Sequence, residues 1–289
     1  MKKWQEWEIK EILKTDFPKQ LSGIGNAPEK LYYRGNWNNE LFDKSLAVVG
    51  SRRITHYGQK VIEKFMPELV TNKITIISGF MYGIDSQAHQ QCLENGGVTV
   101  AVLGGGLNVL TPTENDELYT SILNNNGLVV SEYDPDFKPT LWSFPQRNRI
   151  VSGLSTVGVL VVEAGMKSGS LITARIAKKQ GKTVFSIPGP IDSLSSQGTN
   201  WLIQEGGGKM ITDVCQITQK NPVIIQKNLF ENNLSKEQKQ ILDCLANEPM
   251  TIDELARSIK KSVSEIGLTV SWLSLSDLIY EENGKFYKT

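Results

Sequence analysis

From Leu46 onward the chain alternates short apolar runs with longer stretches in which apolar residues recur at helical spacing. The runs are Leu46–Val49, Ile74–Ser78, Val98–Leu103, Leu128–Ser131, Val157–Val162 and Thr183–Ile187. Short uninterrupted apolar runs suit parallel strands that are covered on both faces. Between them, Tyr57–Thr71, Ile84–Asn95, Thr113–Asn124 and Ser170–Gln180 carry the helical period, and several end at Asn or Gly as a helix C-cap does. Strands alternating with helices predict a doubly wound parallel α/β sheet over residues 44–220. Residues 1–43 read as a short helix, a Pro/Gly-rich segment and Leu31-Tyr32-Tyr33, an arm packing on the sheet domain.

The pattern changes after Cys215. Asn221, Pro222, Asn228, Asn232 and Asn233 mark a linker over 221–233, and a separate unit follows over 234–289. It reads as helices at Lys236–Asn247, Ile252–Ile259 and Val263–Leu275, then two short strands around Asn283-Gly284. Three helices and a hairpin form a winged helix. Glu231 to Thr289 holds seven cations and ten anions, so this unit is expected to contact protein rather than DNA.

A length of 289 residues is enough for two domains. No apolar run is long enough to span a bilayer and Met1–Lys10 is polar, so a cytoplasmic protein without membrane contact is expected. Cys92, Cys215 and Cys244 are far apart, which offers neither a disulfide framework nor a zinc site, and no metal or cofactor is expected. Lys plus Arg and Asp plus Glu both number 31, but the balance hides a segregation. Met81–Phe137 holds eight acidic residues and no Lys or Arg, whereas Lys138–Lys182 holds eight cations against Glu163 alone. The second stretch is a prospective anion-binding region, although Lys178, Lys179 and Lys182 also fit a solvated helix face.

Three strand ends open into glycine turns: Gly50-Ser51-Arg52-Arg53, Ser78-Gly79 with Gly83, and Gly104-Gly105-Gly106. Backbone N–H groups at such turns hold phosphate, yet none of the three is a dinucleotide fingerprint. Gly181-Lys182-Thr183 leads from helix to strand, the reverse of a phosphate loop, which excludes an ATP site there. The most unusual segment is Phe144–Gly153, where Arg147 and Arg149 flank Asn148 and Trp142 lies just upstream. A guanidinium fork binds phosphate, an amide reads a base edge and an aromatic face accepts a base, which is the chemistry of single-stranded nucleic acid. The structural alternatives make Phe144 a core residue and Arg149 a partner of Glu163. Lys167-Ser168-Gly169-Ser170 with Thr173 places small hydroxyls at the start of a helix, an anion seat. With two histidines and no nucleophile or metal motif, hydrolytic chemistry finds no support; His89, one turn past Asp85, is expected to contact that carboxylate.

Taken together, Gly50-Ser51-Arg52 with Tyr57-Gly58, Ser78-Gly79 with Gly83-Ile84-Asp85 and Ala88-His89, Phe144-Pro145 with Arg147-Asn148-Arg149, Val162-Glu163-Ala164, and Ser168-Gly169-Ser170-Leu171 with Thr173-Ala174 resemble the DNA-processing protein A (DprA/Smf) family. The likeness runs from about Leu31 to Ile211 and into the winged helix. It implies an extended Rossmann-like domain that binds single-stranded DNA, forms a homodimer and loads the RecA recombinase in natural transformation, with no enzymatic activity. The residues it implies for DNA are Ser51, Arg52, Arg53, Ser78, Gly79, Gly83, Phe144, Arg147, Asn148, Arg149, Lys167, Ser168, Gly169, Ser170 and Thr173. The chain departs from the family pattern at Tyr82, where many members are basic. The rival is a nucleotide-processing enzyme of the related lysine-decarboxylase-like (LOG) family, whose P-G-G-x-G-T-x-x-E motif is absent; Pro188-Gly189-Pro190 is the nearest approach.

Overall fold

The computed structural model of the chain describes residues 2–205, 207–218, 234–276 and 278–288. These fall into two compact units, residues 1–222 and 223–289. The expected linker, 221–233, lies outside the described residues.

The first unit is built on a nine-stranded sheet. Its strands are β1 (Lys10–Leu13), β2 (Lys30–Gly35), β3 (Ser45–Val49), β4 (Thr75–Ser78), β5 (Thr99–Val102), β6 (Leu128–Ser131), β7 (Gly158–Val161), β8 (Val184–Ser186) and β9 (Lys209–Met210). The helices are α1 (Lys19–Ser22), α2 (His56–Thr71), α3 (Ile84–Glu94), α4 (Asp116–Asn124), α5 (Ser143–Leu154), α6 (Gly169–Lys179), α7 (Gln197–Gln204) and α8 (Cys215–Thr218). Strand order is β1-β2-β6-β5-β4-β3-β7-β8-β9, parallel from β6 through β9. The chain runs outward from β3 to β6 and then returns to lay β7 against the other side of β3. The direction of winding therefore reverses between β3 and β7, and the carboxyl ends of those strands diverge around a crevice.

Side-chain alternation along each strand builds two apolar layers. Leu46 and Val48 of β3 pack with Ile62, Phe65, Met66 and Leu69 of α2 and Ile84 and Ala88 of α3. Ala47 and Val49 point the other way, into a cluster with Ile150, Val151 and Leu154 of α5 and Leu171 and Ala174 of α6. The sheet is thus covered on both faces.

Two elements differ from expectation. The arm does not merely lie on the sheet but joins it: β1 and β2 form an antiparallel hairpin, and β2 pairs antiparallel with β6 through Tyr33 opposite Val130. Buried Arg34 anchors this edge by donating to the carbonyls of Trp7 (2.9 Å) and Leu107 (2.6 Å) and to Asn108 Oδ1 (2.8 Å). The unusual segment Phe144–Gly153 is a helix, α5. Pro145 sits in its first turn, where its missing N–H has no intrahelical acceptor to lose.

In the second unit, α9 (Lys236–Asn247), α10 (Ile252–Ile259) and α11 (Val263–Leu275) precede the hairpin β10 (Ile279–Glu282) and β11 (Lys285–Lys288). Each helix opens with a reciprocal capping box, Ser235 with Gln238, Thr251 with Glu254 and Ser262 with Glu265. The hairpin turns on Asn283 (φ 53°) and Gly284 (φ 76°), the pair of left-handed residues that a tight two-residue turn demands. Ile241, Leu245, Leu255, Ile266, Leu273 and Ile279 form a core of its own.

Candidate nucleic-acid interface

A cleft of about 820 Å³ opens at the carboxyl ends of β3, β4 and β7, at the reversal of winding. One wall is the turn Gly50–Arg53 leading into α2. The Ser51 hydroxyl is used within the turn, accepting from the Arg53 N–H (3.1 Å) and donating to the Arg53 carbonyl (2.9 Å). The turn is pinned from behind by Glu163, fully buried, whose carboxylate accepts from the Thr55 N–H (3.0 Å) and hydroxyl (2.5 Å). Thr55 in turn caps α2. Held this way, Arg52 and Arg53 project into solvent at the cleft mouth, and the Arg52 guanidinium stands 5.6 Å over the Phe144 ring.

The floor is Gly79, Asp85 and Arg147. Arg147 is only 3% exposed and donates through Nη1 to the carbonyls of Gly79 and Val102. Burial lowers its guanidinium to about 10, against the opposing pull of Asp85. Burial likewise raises the Asp85 carboxyl, which Arg147 and the Met81 N–H (3.3 Å) act to lower. A Cβ on residue 79 would lie 2.6 Å from both Arg147 Nη1 and Asp85 Oδ2, so only glycine leaves room for these two side chains to flank the position under the cleft.

The far wall is the start of α6. Ser168 accepts from the Ser170 N–H (3.3 Å), Lys167 is exposed beside it, and Gly169 stands open with nothing within 4 Å of where a Cβ would be. Thr173 lies one turn in, buried against the same wall. Helix α5 completes the cleft with Phe144, Arg147, Asn148 and Val151, spaced so that one helical face carries all four. Phe144 is half-buried, packed against Gly104, where a Cβ would meet its ring at 2.6 Å. It is therefore a wall of the cleft and not a core residue.

Of the fifteen residues expected to meet DNA, twelve line this cleft and three do not. Ser78 is buried in β4 with its hydroxyl donating to the Val48 carbonyl (2.6 Å). Gly83 (φ 76°) shapes the site without lining it, because a side chain there would collide with the Ser51 carbonyl. Arg149 is the main correction. It points away from the cleft and forms a fork-to-fork pair with Glu132 (2.8 and 2.6 Å), with further bonds to the carbonyls of Asn26 and Gln146. Its partner is Glu132 and not Glu163, which is occupied by Thr55. The third glycine turn is also closed: Gly105 packs on Pro139 and Gly106 on the Asp134 and Pro135 carbonyls. The sequence reading missed Asp85 as the floor's carboxylate and Leu141, 93% exposed at the rim.

His89 does not meet Asp85. Its Nδ1 pairs with Thr99 Oγ1 (2.7 Å) inside the fold, and burial drives the imidazole down to about 3 from 6.5. The neutral ring is favoured in the folded state, so its contribution is complete above pH 6.5 and is lost as pH falls towards 3. Denaturant titration between those limits should show stability declining, with a shallower decline in His89→Gln; Asp85 works in the opposite sense at the acid end. An equally steep decline in the variant would exonerate His89.

Four cations (Arg52, Arg53, Arg147 and Lys167) line the cleft against one carboxylate, Asp85, beside an aromatic wall and a helix start. This arrangement can hold anionic oxygens and stack a flat ring. Among the described residues there is no cluster of metal-binding side chains, and no helix is long and apolar enough to cross a membrane.

The family model for DNA recombination-mediator protein A matches residues 9–222, and that for the DprA winged helix domain matches 230–285. DNA processing protein DprA of Streptococcus pneumoniae is 46% identical over 211 residues, 73% of each chain. Protein Smf of Escherichia coli is 44% identical over 206 residues, but these are 70% of this chain and only 54% of that protein. The X-ray structure of the S. pneumoniae protein superposes with a TM-score of 0.68 at 42% identity over 75% of each chain. DNA processing protein A of Helicobacter pylori, whose structure describes a single-stranded DNA binding mode, gives 0.67 at 32% identity over 76% of this chain and 97% of that one. With its sheet domain matched almost end to end and its winged helix matched separately, the chain belongs to the DNA recombination-mediator protein A (DprA/Smf) family.

Proposed function

We propose that the chain binds single-stranded DNA in the cleft between β3 and β7, and acts in the cytoplasm as a recombination mediator that protects the strand and loads the RecA recombinase on it. The observation that carries this reading is the convergence of Arg52, Arg53 and Lys167 with the Phe144 ring around one opening. Guanidinium and ammonium groups neutralise phosphates while the ring stacks a base, a combination that reads backbone and not sequence. The role is binding and not catalysis: the one carboxylate in the cleft, Asp85, is buried, accepts from the Met81 N–H and lies in the field of the Arg147 guanidinium. The reading includes a homodimer and a winged helix that contacts protein.

The test is equilibrium binding of an oligo-thymidine strand beside an assay for base release from AMP. Binding without base release supports the mediator; base release would support the nucleotide-processing rival. In the same assay, deleting residues 223–289 should leave affinity within about tenfold (~1.4 kcal/mol) of the full chain. A larger loss would make the acidic winged helix a DNA-binding module.

A further inference from the structure

A second pocket, about 430 Å³, lies at the opposite end of α6, where that helix meets the α1 turn. Its lining brings together Lys19, Lys179 and Lys182, and no carboxylate lines it. The Lys19 and Lys179 side chains are exposed and make no ion pair or hydrogen bond among the described residues, while the Lys182 ammonium gives one bond to the Ser155 carbonyl (2.7 Å). The turn beside them is Gly23-Ile24-Gly25-Asn26, and the N–H groups of Gly25 and Asn26 find no acceptor among the described residues. Nothing stands within 4 Å of where a Gly25 side chain would begin, so the backbone is open to approach.

Three ammonium groups gathered without a counter-charge repel one another unless an anion joins them. Burial lowers Lys182 from its ordinary value, and an anion seated beside it would favour its charged form. The C-terminal dipole of α6 accounts for Lys179 but not for Lys19, which comes from a different element. The pocket also has a connection to the cleft. Helix α6 starts at the cleft wall and ends here, about 16 Å away. Its exposed side between the two carries Ile172, Arg175 and Lys179, with the Arg175 guanidinium resting 5.6 Å over the Trp201 ring.

We propose that this pocket is a second phosphate seat for the same DNA strand, reached along the outer side of α6, so that the strand leaves the cleft past Lys167 and Arg175 and ends on Lys19, Lys179 and Lys182. The proposal rests on the cleft being a single-strand site, and the test separates the two. Binding of a ~5-nucleotide and a ~20-nucleotide oligo-thymidine is measured by fluorescence anisotropy for the full chain and for Lys19→Glu/Lys179→Glu. The short strand fills the cleft alone and should bind the variant within twofold of the parent. The long strand should bind at least tenfold more weakly, with a salt slope shallower by about 0.7 for each phosphate released. Lys3→Glu/Lys10→Glu makes the same charge change at the far edge of the sheet and should leave the long strand within twofold. Unchanged affinity and slope for the long strand in Lys19→Glu/Lys179→Glu, or an equal loss in Lys3→Glu/Lys10→Glu, overturns the second seat. Failure of the parent to bind either strand overturns the cleft itself.

Discussion

Glu132→Ala should lower folding stability by about 3–5 kcal/mol in chemical denaturation, because it strands a buried guanidinium. The Arg149–Glu132 side chains are each only 8% exposed and meet at 2.6 Å, so water does little to screen what is lost. Arg149 holds α5 to the segment after β6 and, through the Asn26 carbonyl, to the α1 turn. The same helix carries Phe144, Arg147 and Asn148 into the cleft, so oligonucleotide affinity should fall in step with stability. Glu132→Ala combined with Arg149→Met should recover much of the loss, since an apolar side chain leaves no unpaired charge. A change below about 1 kcal/mol in the single variant would mean that the pair behaves like a surface contact.

Phe144→Ala should weaken single-strand binding by about 1–3 kcal/mol while leaving its salt dependence nearly unchanged, the signature of lost stacking. The ring is half-buried on Gly104, so its stability cost should stay well below the ~3–5 kcal/mol of a core phenylalanine. Phe144→Tyr, which keeps the face, should bind almost as the parent does. A variant that melts far lower yet binds normally in the cold would make Phe144 a packing residue alone.

Much of this architecture is legible in the sequence. The apolar runs mark β3 to β8 because parallel strands between two helical layers must be apolar on both faces, and the capping boxes mark the winged-helix boundaries. Helix α5 is harder to see because two of its buried residues, on opposite sides, are Arg147 and Arg149, which break the apolar pattern. Read as a helix, the segment would have separated the two arginines, since residues two apart point about 200° from each other. Phe144, Arg147, Asn148 and Val151 share the cleft face, and Arg149 does not. The Glu132 partner of Arg149 carries no local signal, because the two meet only once β6 and α5 have packed. The β1–β2 hairpin is similarly obscured, as Lys10–Leu13 is an edge strand left largely in solvent.

The central claim is that the turn Gly50–Arg53 delivers charge to a DNA strand in the cleft, and it is tested most directly by oligo-thymidine affinity measured across a range of salt for the parent and Arg52→Ala. Arg52 is exposed at the mouth of the cleft and caps no helix, so its removal should leave the fold unchanged. The parent's log affinity should fall linearly with log salt by about 0.7 for each phosphate neutralised. Arg52→Ala should bind about 1–3 kcal/mol more weakly at low salt and show a shallower slope. Parent affinity that does not respond to salt, or an Arg52→Ala chain with the parent's affinity and slope, would contradict the account.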